Sequence, residues 1–171
     1  MKKHKSMIIL LGVFCVLIAS YFIITSVNKS KEKNAQATMV TDMVNVVALD
    51  YQTGDTKVSF VKEKGVWQVK GKPDLALEAS MMKEMVEGVK KIEAIRVLQG
   101  IDDLKDYGLE EPTYTITLQE DTGKKVTFYI GNATGENYYA ATGLKEMVYT
   151  VSSSVVEALK FDVSGLKDAI Q

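Results

Sequence analysis

The side chains that could do chemistry in this chain are almost all carboxylates. Glu120 and Asp121 are neighbours, and Asp102, Asp103, Asp106, Glu110 and Glu111 crowd into one short stretch. Paired carboxylates are the machinery of glycoside hydrolysis, where one gives a proton and the other attacks or activates water. Clustered carboxylates hold oxygen-preferring cations such as calcium. The spacing supports neither strongly. The cluster lacks the alternation of a calcium loop, and Asp102 or Asp103 is placed to cap a short helix. Glu120 and Asp121 fall in a predicted hairpin turn, where water keeps both ionised and ordinary. Gly131-Asn132-Ala133-Thr134-Gly135 lacks the Lys-Ser/Thr ending of a phosphate loop, so it reads as a flexible strand connection. Asn132-Ala133-Thr134 matches a glycosylation acceptor, a pattern that chance also supplies.

The chain has one histidine and one cysteine, His4 and Cys15, both near its start. Beyond Val27 there is neither, so a Ser-His-Asp or Cys-His nucleophile has no imidazole to use. A structural zinc site, which draws on Cys and His, is likewise not expected. We expect no catalytic residue, no cofactor and no metal site. Eighteen of the basic and all of the acidic residues follow Val27, giving that part about −4. A weakly acidic domain without a basic stripe is a poor nucleic-acid binder.

Met7 to Val27 carries no charge and follows Lys2, Lys3, His4 and Lys5. At about 1.5 Å rise per residue, a helix of that length spans a hydrocarbon core of about 30 Å. Ala35-Gln36-Ala37 has the form of a signal cleavage site, but it lies behind Lys29, Lys31, Glu32 and Lys33, well past the apolar run. An uncleaved anchor is the better reading. Cys15 follows Phe14, not a small residue, so it reads as a buried apolar side chain and not as a lipid attachment site. Gly12, Cys15 and Ala19 lie at helical spacing, which either seats a partner helix or reflects chance. The flanking lysines are nearly balanced, and the export-like start favours an inside amino terminus. The expected order is a cytoplasmic basic tail over 1–6, a transmembrane helix over 7–27, a polar linker over 28–42 and an extracytoplasmic domain over 43–171. A domain without cysteine is compatible with an oxidising compartment.

Within that domain the pattern predicts α+β structure. Met43 to Tyr51, Thr56 to Lys62 and Val66 to Lys70 read as strands separated by Gly turns. Trp67 sits in the third. A helix is predicted from about Leu77 to Glu93, with Met82, Met85, Val89 and Ile92 on one face and a Glu87–Lys91 pair on another. Met81, Met82 and Met85 read as core filling, and Gly88 as a point of close approach to the sheet. Ile95 to Leu98 is a short strand. Gly108 is placed to end a short helix in the left-handed conformation, so that Leu109 packs on Leu104, and Pro112 turns the chain into a strand. Thr113 to Gln119, Val126 to Ile130, Asn137 to Ala141 and Met147 to Val151 are further strands. Ser152 or Ser153 caps a C-terminal helix. Thr53-Gly54 aligns with Thr122-Gly123, and Val58-Ser59-Phe60 with Val126-Thr127-Phe128 after a one-residue gap. A degenerate two-unit repeat and convergent hairpin chemistry both explain this. Tyr138 and Tyr139 are adjacent, so a strand points them to opposite faces, one towards the core and one towards a partner or a sugar.

Several of these pieces occur in an order that resembles one family. They are Trp67, the amphipathic helix, Asp103-Leu104-Lys105-Asp106-Tyr107-Gly108-Leu109-Glu110-Glu111-Pro112, Thr127 to Gly131, Tyr138 to Ala140 and Val148 to Val151. The series is similar to the domain of unknown function 4340 family, from about Val44 to Lys160. That resemblance implies an N-terminal membrane helix and an exported α+β domain, with no catalytic residues to carry over. For part of the family it also implies association with ABC-type export or gliding-motility-like systems. The expected function is a non-catalytic, single-span cell-membrane protein whose extracytoplasmic domain binds an envelope partner. A cell-wall or glycan-binding module is the alternative, and a carboxylate-based hydrolase stands third.

Overall fold

Alternating apolar residues make strands that bury one face, and this alternation runs through both halves of the domain. The computed structural model describes residues 38–75, 77–101, 103–143 and 147–161. All of them fall in a compact unit that begins at Thr38. The basic tail, the apolar segment 7–27, most of the expected linker, Asp102 and the C-terminal residues from 162 lie outside the described residues. Among the described residues no helix is long and apolar enough to cross a membrane.

The strands are β1 (Met39–Asp42), β2 (Val46–Thr53), β3 (Thr56–Glu63), β4 (Val66–Val69), β5 (Lys91–Glu93), β6 (Arg96–Leu98), β7 (Tyr114–Glu120), β8 (Lys125–Thr134), β9 (Asn137–Thr142) and β10 (Val148–Ser152). The helices are α1 (Ala79–Lys90) and α2 (Ser153–Leu159), with a 3-10 turn at Lys105–Tyr107. The fold is therefore α+β, as expected. Eight strands form one sheet in the order β4-β3-β2-β7-β8-β9-β10-β6, and β1 pairs with β5 in a separate ribbon. Every ladder is antiparallel. Where the two meanders meet, β2 lies beside β7, with Leu49 opposite Leu118. From that pair one meander runs outward through β3 to β4, and the other through β8 and β9 to β10.

Strand alternation sorts the side chains between two faces. One carries Leu49, Tyr51, Phe60, Ile116, Leu118 and Phe128 into the main core, where α1 adds Met82, Met85 and Val89, and α2 adds Val156 and Leu159. The two helices also touch each other. A Cβ on Gly88 would lie 2.3 Å from the Cβ of Ala158, so the close approach at Gly88 is to α2 and not to the sheet. On the opposite face a polar row crosses the middle strands. Ser59 Oγ donates to Asp50 Oδ1 at 2.6 Å, and the hydroxyls of Thr117 and Thr127 lie 2.8 Å apart.

Three expected boundaries move, each for a tertiary reason. The linker gives way to structure at Met39, because β1 pairs with β5. The helix ends at Lys90, not near Glu93. Thr41 Oγ1 donates to the carbonyl of Val89 at 2.7 Å and accepts from Ile92 N–H at 3.0 Å. Met43 N–H donates to the Lys90 carbonyl at 2.8 Å. The last helical carbonyls are thus satisfied by β1 and its following residue, and the chain leaves as a strand. Ile92 is still buried, as a strand residue. Lys91 therefore leaves the helical face. Glu87 pairs with Lys90 at 2.6 Å, and Lys91 Nζ lies 3.7 Å from Asp42 Oδ1. Finally, residues 131–134 are not a loose connection but the continuation of β8, with a register shift between Ile130 and Ala133.

Candidate functional site

Helix α1 buries Met82, Met85, Val86 and Val89, while Lys83 and Glu87 beside this stripe stay exposed. The β3–β4 hairpin turns through Lys64 and Gly65 and so sets Lys62 directly opposite Trp67. Both point to the helix-covered face, because Lys62 stands two residues beyond Phe60 on the same strand. Between this hairpin, residues 44–46 and α1 lies a groove of about 440 Å³. Its floor is apolar, built from Trp67, Leu77, Met82 and Val86. Its rim carries Lys62, Lys83 and Lys90, with one acid, Glu87. Val44 and Val66 also line it, and they are the most exposed large hydrophobics described, at 76% and 67%.

The charges of the rim are unequal in their freedom. Lys90 is held by Glu87, an exposed pair that contributes little stability. Among the described residues no acidic group lies in ion-pair range of Lys62 or Lys83. The groove therefore presents unbalanced positive charge over an apolar floor, in a chain whose overall charge is −1. Neither a hydroxyl nucleophile nor a carboxylate other than Glu87 is among its lining residues.

The carboxylates that could have made an active site lie elsewhere and are used differently. Glu120 is not solvated in a turn, as expected from sequence, but only 7% exposed. Its Oε1 accepts from Val44 N–H at 2.8 Å and its Oε2 from the Thr122 hydroxyl at 3.0 Å. Asp121 Oδ2 accepts from Asn45 Nδ2 at 2.5 Å. These two side chains pin the 43–45 turn that forms one wall of the groove. Asp103 Oδ1 accepts from Lys105 N–H at 2.8 Å, a local turn contact; the cap position of the 3-10 turn is Leu104, which offers no side-chain cap. No group of three or more metal-ligating side chains converges among the described residues.

The motif around Tyr107-Gly108-Leu109 lies on the other face of the sheet. Gly108 has φ 67°, and Leu109 N–H returns to the Leu104 carbonyl at 3.0 Å. Leu109 is fully buried against Ala141 and Val148, with Leu98, Leu104 and Tyr107 around it. Pro112 is half-buried two residues before β7. The motif also meets the start of the β8 extension. A Cβ on Gly131 would lie 2.1 Å from the Tyr107 carbonyl, and one on Gly108 would lie 2.4 Å from Asn132 Oδ1. The two tyrosines of β9 diverge. Tyr138 packs against the main core, while Tyr139 stands edge-on to Tyr107 with ring centroids 4.9 Å apart. Both are half-buried.

Trp67 and the amphipathic character of α1 are each legible in the sequence, but their meeting is not. The hairpin was legible as a turn over Glu63-Lys64-Gly65, but β3 runs on to Glu63, and the resulting two-residue turn through Lys64 and Gly65 is what sets Lys62 opposite Trp67. The approach of Lys83 and Lys90 to that pair depends on where α1 docks.

Fold and site together define an α+β domain built on one wide antiparallel sheet, with a lysine-rimmed apolar groove beside its first meander. Residues 34–169 match the family model described as Domain of unknown function (DUF4340), and the chain belongs to that family. No curated protein and no solved structure matches it.

Proposed function

We propose that this chain is a non-catalytic interaction module, held in the cell membrane by residues 7–27, whose extracytoplasmic domain docks another envelope protein in the groove. The observation that carries this reading is the groove itself: an open apolar floor flanked by exposed Val44 and Val66, with two rim lysines, Lys62 and Lys83, that have no acid in ion-pair range among the described residues, and no nucleophile in its lining. Apolar side chains left at a rim of charge are a feature of contact surfaces. The carboxylate-hydrolase reading loses its motive, because both Glu120 oxygens already accept hydrogen bonds that hold a turn. The family resemblance suggests a transport-system component as the partner.

A photoreactive residue placed at Val66 in intact membranes tests the proposal, with one at Asp50 on the opposite face as the control. The expected outcome is a discrete adduct from position 66 and none from position 50. Absence of any adduct from either position counts against docking. The glycan-binding alternative is supported by one feature, the polar row of Ser59, Asp50, Thr117 and Thr127 beside a hollow of about 320 Å³. Retention of the protein on peptidoglycan, lost on Asp50→Ala with Thr117→Ala, would favour it.

A further inference from the structure

We infer that the occupant of the groove is a short segment of a partner protein that combines apolar side chains with carboxylates. This rests on the docking proposal and specifies its chemistry. Three features of the groove choose the occupant. First, its charge is one-sided. Lys62 and Lys83 have no acid in ion-pair range among the described residues, and Glu87 is already engaged by Lys90. A complementary partner brings negative charge.

Second, the positive groups do not converge. Lys83 and Lys90 lie two turns apart on α1, about 10 Å along its axis, and Lys62 stands across the groove on β3. A compact anion such as phosphate needs donors that close on one point. Spread charges suit carboxylates spaced along a chain. Third, the floor of Trp67, Leu77, Met82 and Val86 is apolar but for the Trp67 indole N–H, and the lining's one amide, Asn45, already donates to Asp121, so few groups are left to orient a small polar ligand. It offers area for apolar side chains. From Ala79 to Lys90 the wall runs about 16 Å, which matches about five residues of extended chain. The concavity favours an inserted segment over the flat surface of an anionic bilayer.

The groove contains the chain's single tryptophan, so Trp67 emission reports occupancy directly. The full chain in neutral detergent is titrated with synthetic peptides of about eight residues, alternating Leu with Glu, Ser or Lys. The Glu–Leu peptide is expected to shift Trp67 emission and to bind at least roughly tenfold more tightly than the Ser–Leu peptide, or about 1.4 kcal/mol. Added salt weakens it. Lys62→Glu with Lys83→Glu is expected to reverse the preference towards the Lys–Leu peptide, and Lys83→Gln alone to weaken the Glu–Leu peptide without reversal. Both lysines are exposed, so the substitutions leave the core untouched.

Equal response to all three peptides overturns the inference. So does a preference unchanged by the charge reversal, or a Trp67 shift caused by phosphatidylserine in mixed micelles and by no peptide. If the peptides fail while a position-66 adduct still forms, the acidic-segment inference falls and docking stands. If both fail, both fall.

Discussion

Gly88 shows how a single side chain's absence decides a packing arrangement. In an exposed helix, replacing Gly by Ala gains about 1 kcal/mol. Here the added Cβ would meet the Ala158 Cβ at 2.3 Å, between α1 and α2. Overpacking of this kind costs about 1–3 kcal/mol and outweighs the propensity gain. Gly88→Ala should therefore lower the midpoint of urea unfolding, and Ala158→Gly in the same chain should restore part of it. Tyr51 gives a second residue-scale test. Burial, with a smaller contribution from the neighbouring Tyr114, pushes its phenol up to about 12, against an ordinary value of about 10. Its hydroxyl donates to the Leu159 carbonyl at 3.2 Å. Because the folded state keeps this proton longer than the unfolded chain, the unfolded state binds fewer protons above pH about 10. Stability from this group is intact below that pH and falls as pH rises towards 12, by on the order of 2 kcal/mol. Unfolding curves across this window should fall more steeply for the native chain than for Tyr51→Phe. Equal slopes would remove Tyr51 as the cause.

Individual elements differ in how far their own sequence specifies them. The hairpins do so almost completely, since Gly54-Asp55 and Lys64-Gly65 lie between alternating strands that pair in the register those two-residue turns impose, with Thr53 and Glu63 drawn into the ladders. The stop at Gly108 is equally local, for its left-handed φ and the Leu109 to Leu104 bond lie within one short stretch. What that stretch covers is not local. Leu109 closes a second apolar cluster over Ala141 and Val148, on the face away from the helices. Leu109→Ala should cost about 2–5 kcal/mol, checked by denaturant unfolding. Trp67 lies on the opposite face, so the groove's emission spectrum should stay unchanged while stability drops. The end of α1 was not legible, because Thr41, which takes one of its last carbonyls, lies 48 residues from Val89. Periodicity alone carries the helix on through Ile92, which is apolar at the right spacing for a helix and is buried in a strand instead. The groove was half legible for the same reason. The Lys62–Trp67 pair follows from a turn, but the lysines of α1 reach it through the helix's tertiary placement.

For the molecule as a whole, these long-range bonds fix where the folding unit begins. A boundary at residue 43, the natural reading of the polar stretch before it, discards β1. Yet Val40 is 4% exposed and Thr41 only 1%. Removing them uncovers Val40's contribution, about 1.5–3 kcal/mol for a buried side chain of its kind. It also deletes both bonds of the Thr41 hydroxyl, which leaves the Val89 carbonyl and the Ile92 N–H without their partner. Each such bond contributes about 1 kcal/mol, and an orphaned buried group costs more. The loss is roughly 3–5 kcal/mol, a large share of the 5–15 kcal/mol that holds an ordinary domain together. It falls at the C-terminal end of α1, the same helix that carries Lys83 and Lys90 along the groove. Truncation should therefore reach the groove, although β1 is not among its lining residues. A chain begun at Thr38 is expected to unfold in one cooperative transition. A chain begun at Met43 should unfold at distinctly lower urea, with faster amide exchange at Val89 and Ile92. If the two unfold alike, β1 is an ornament on the fold and the register of α1 against the sheet is set by the core alone.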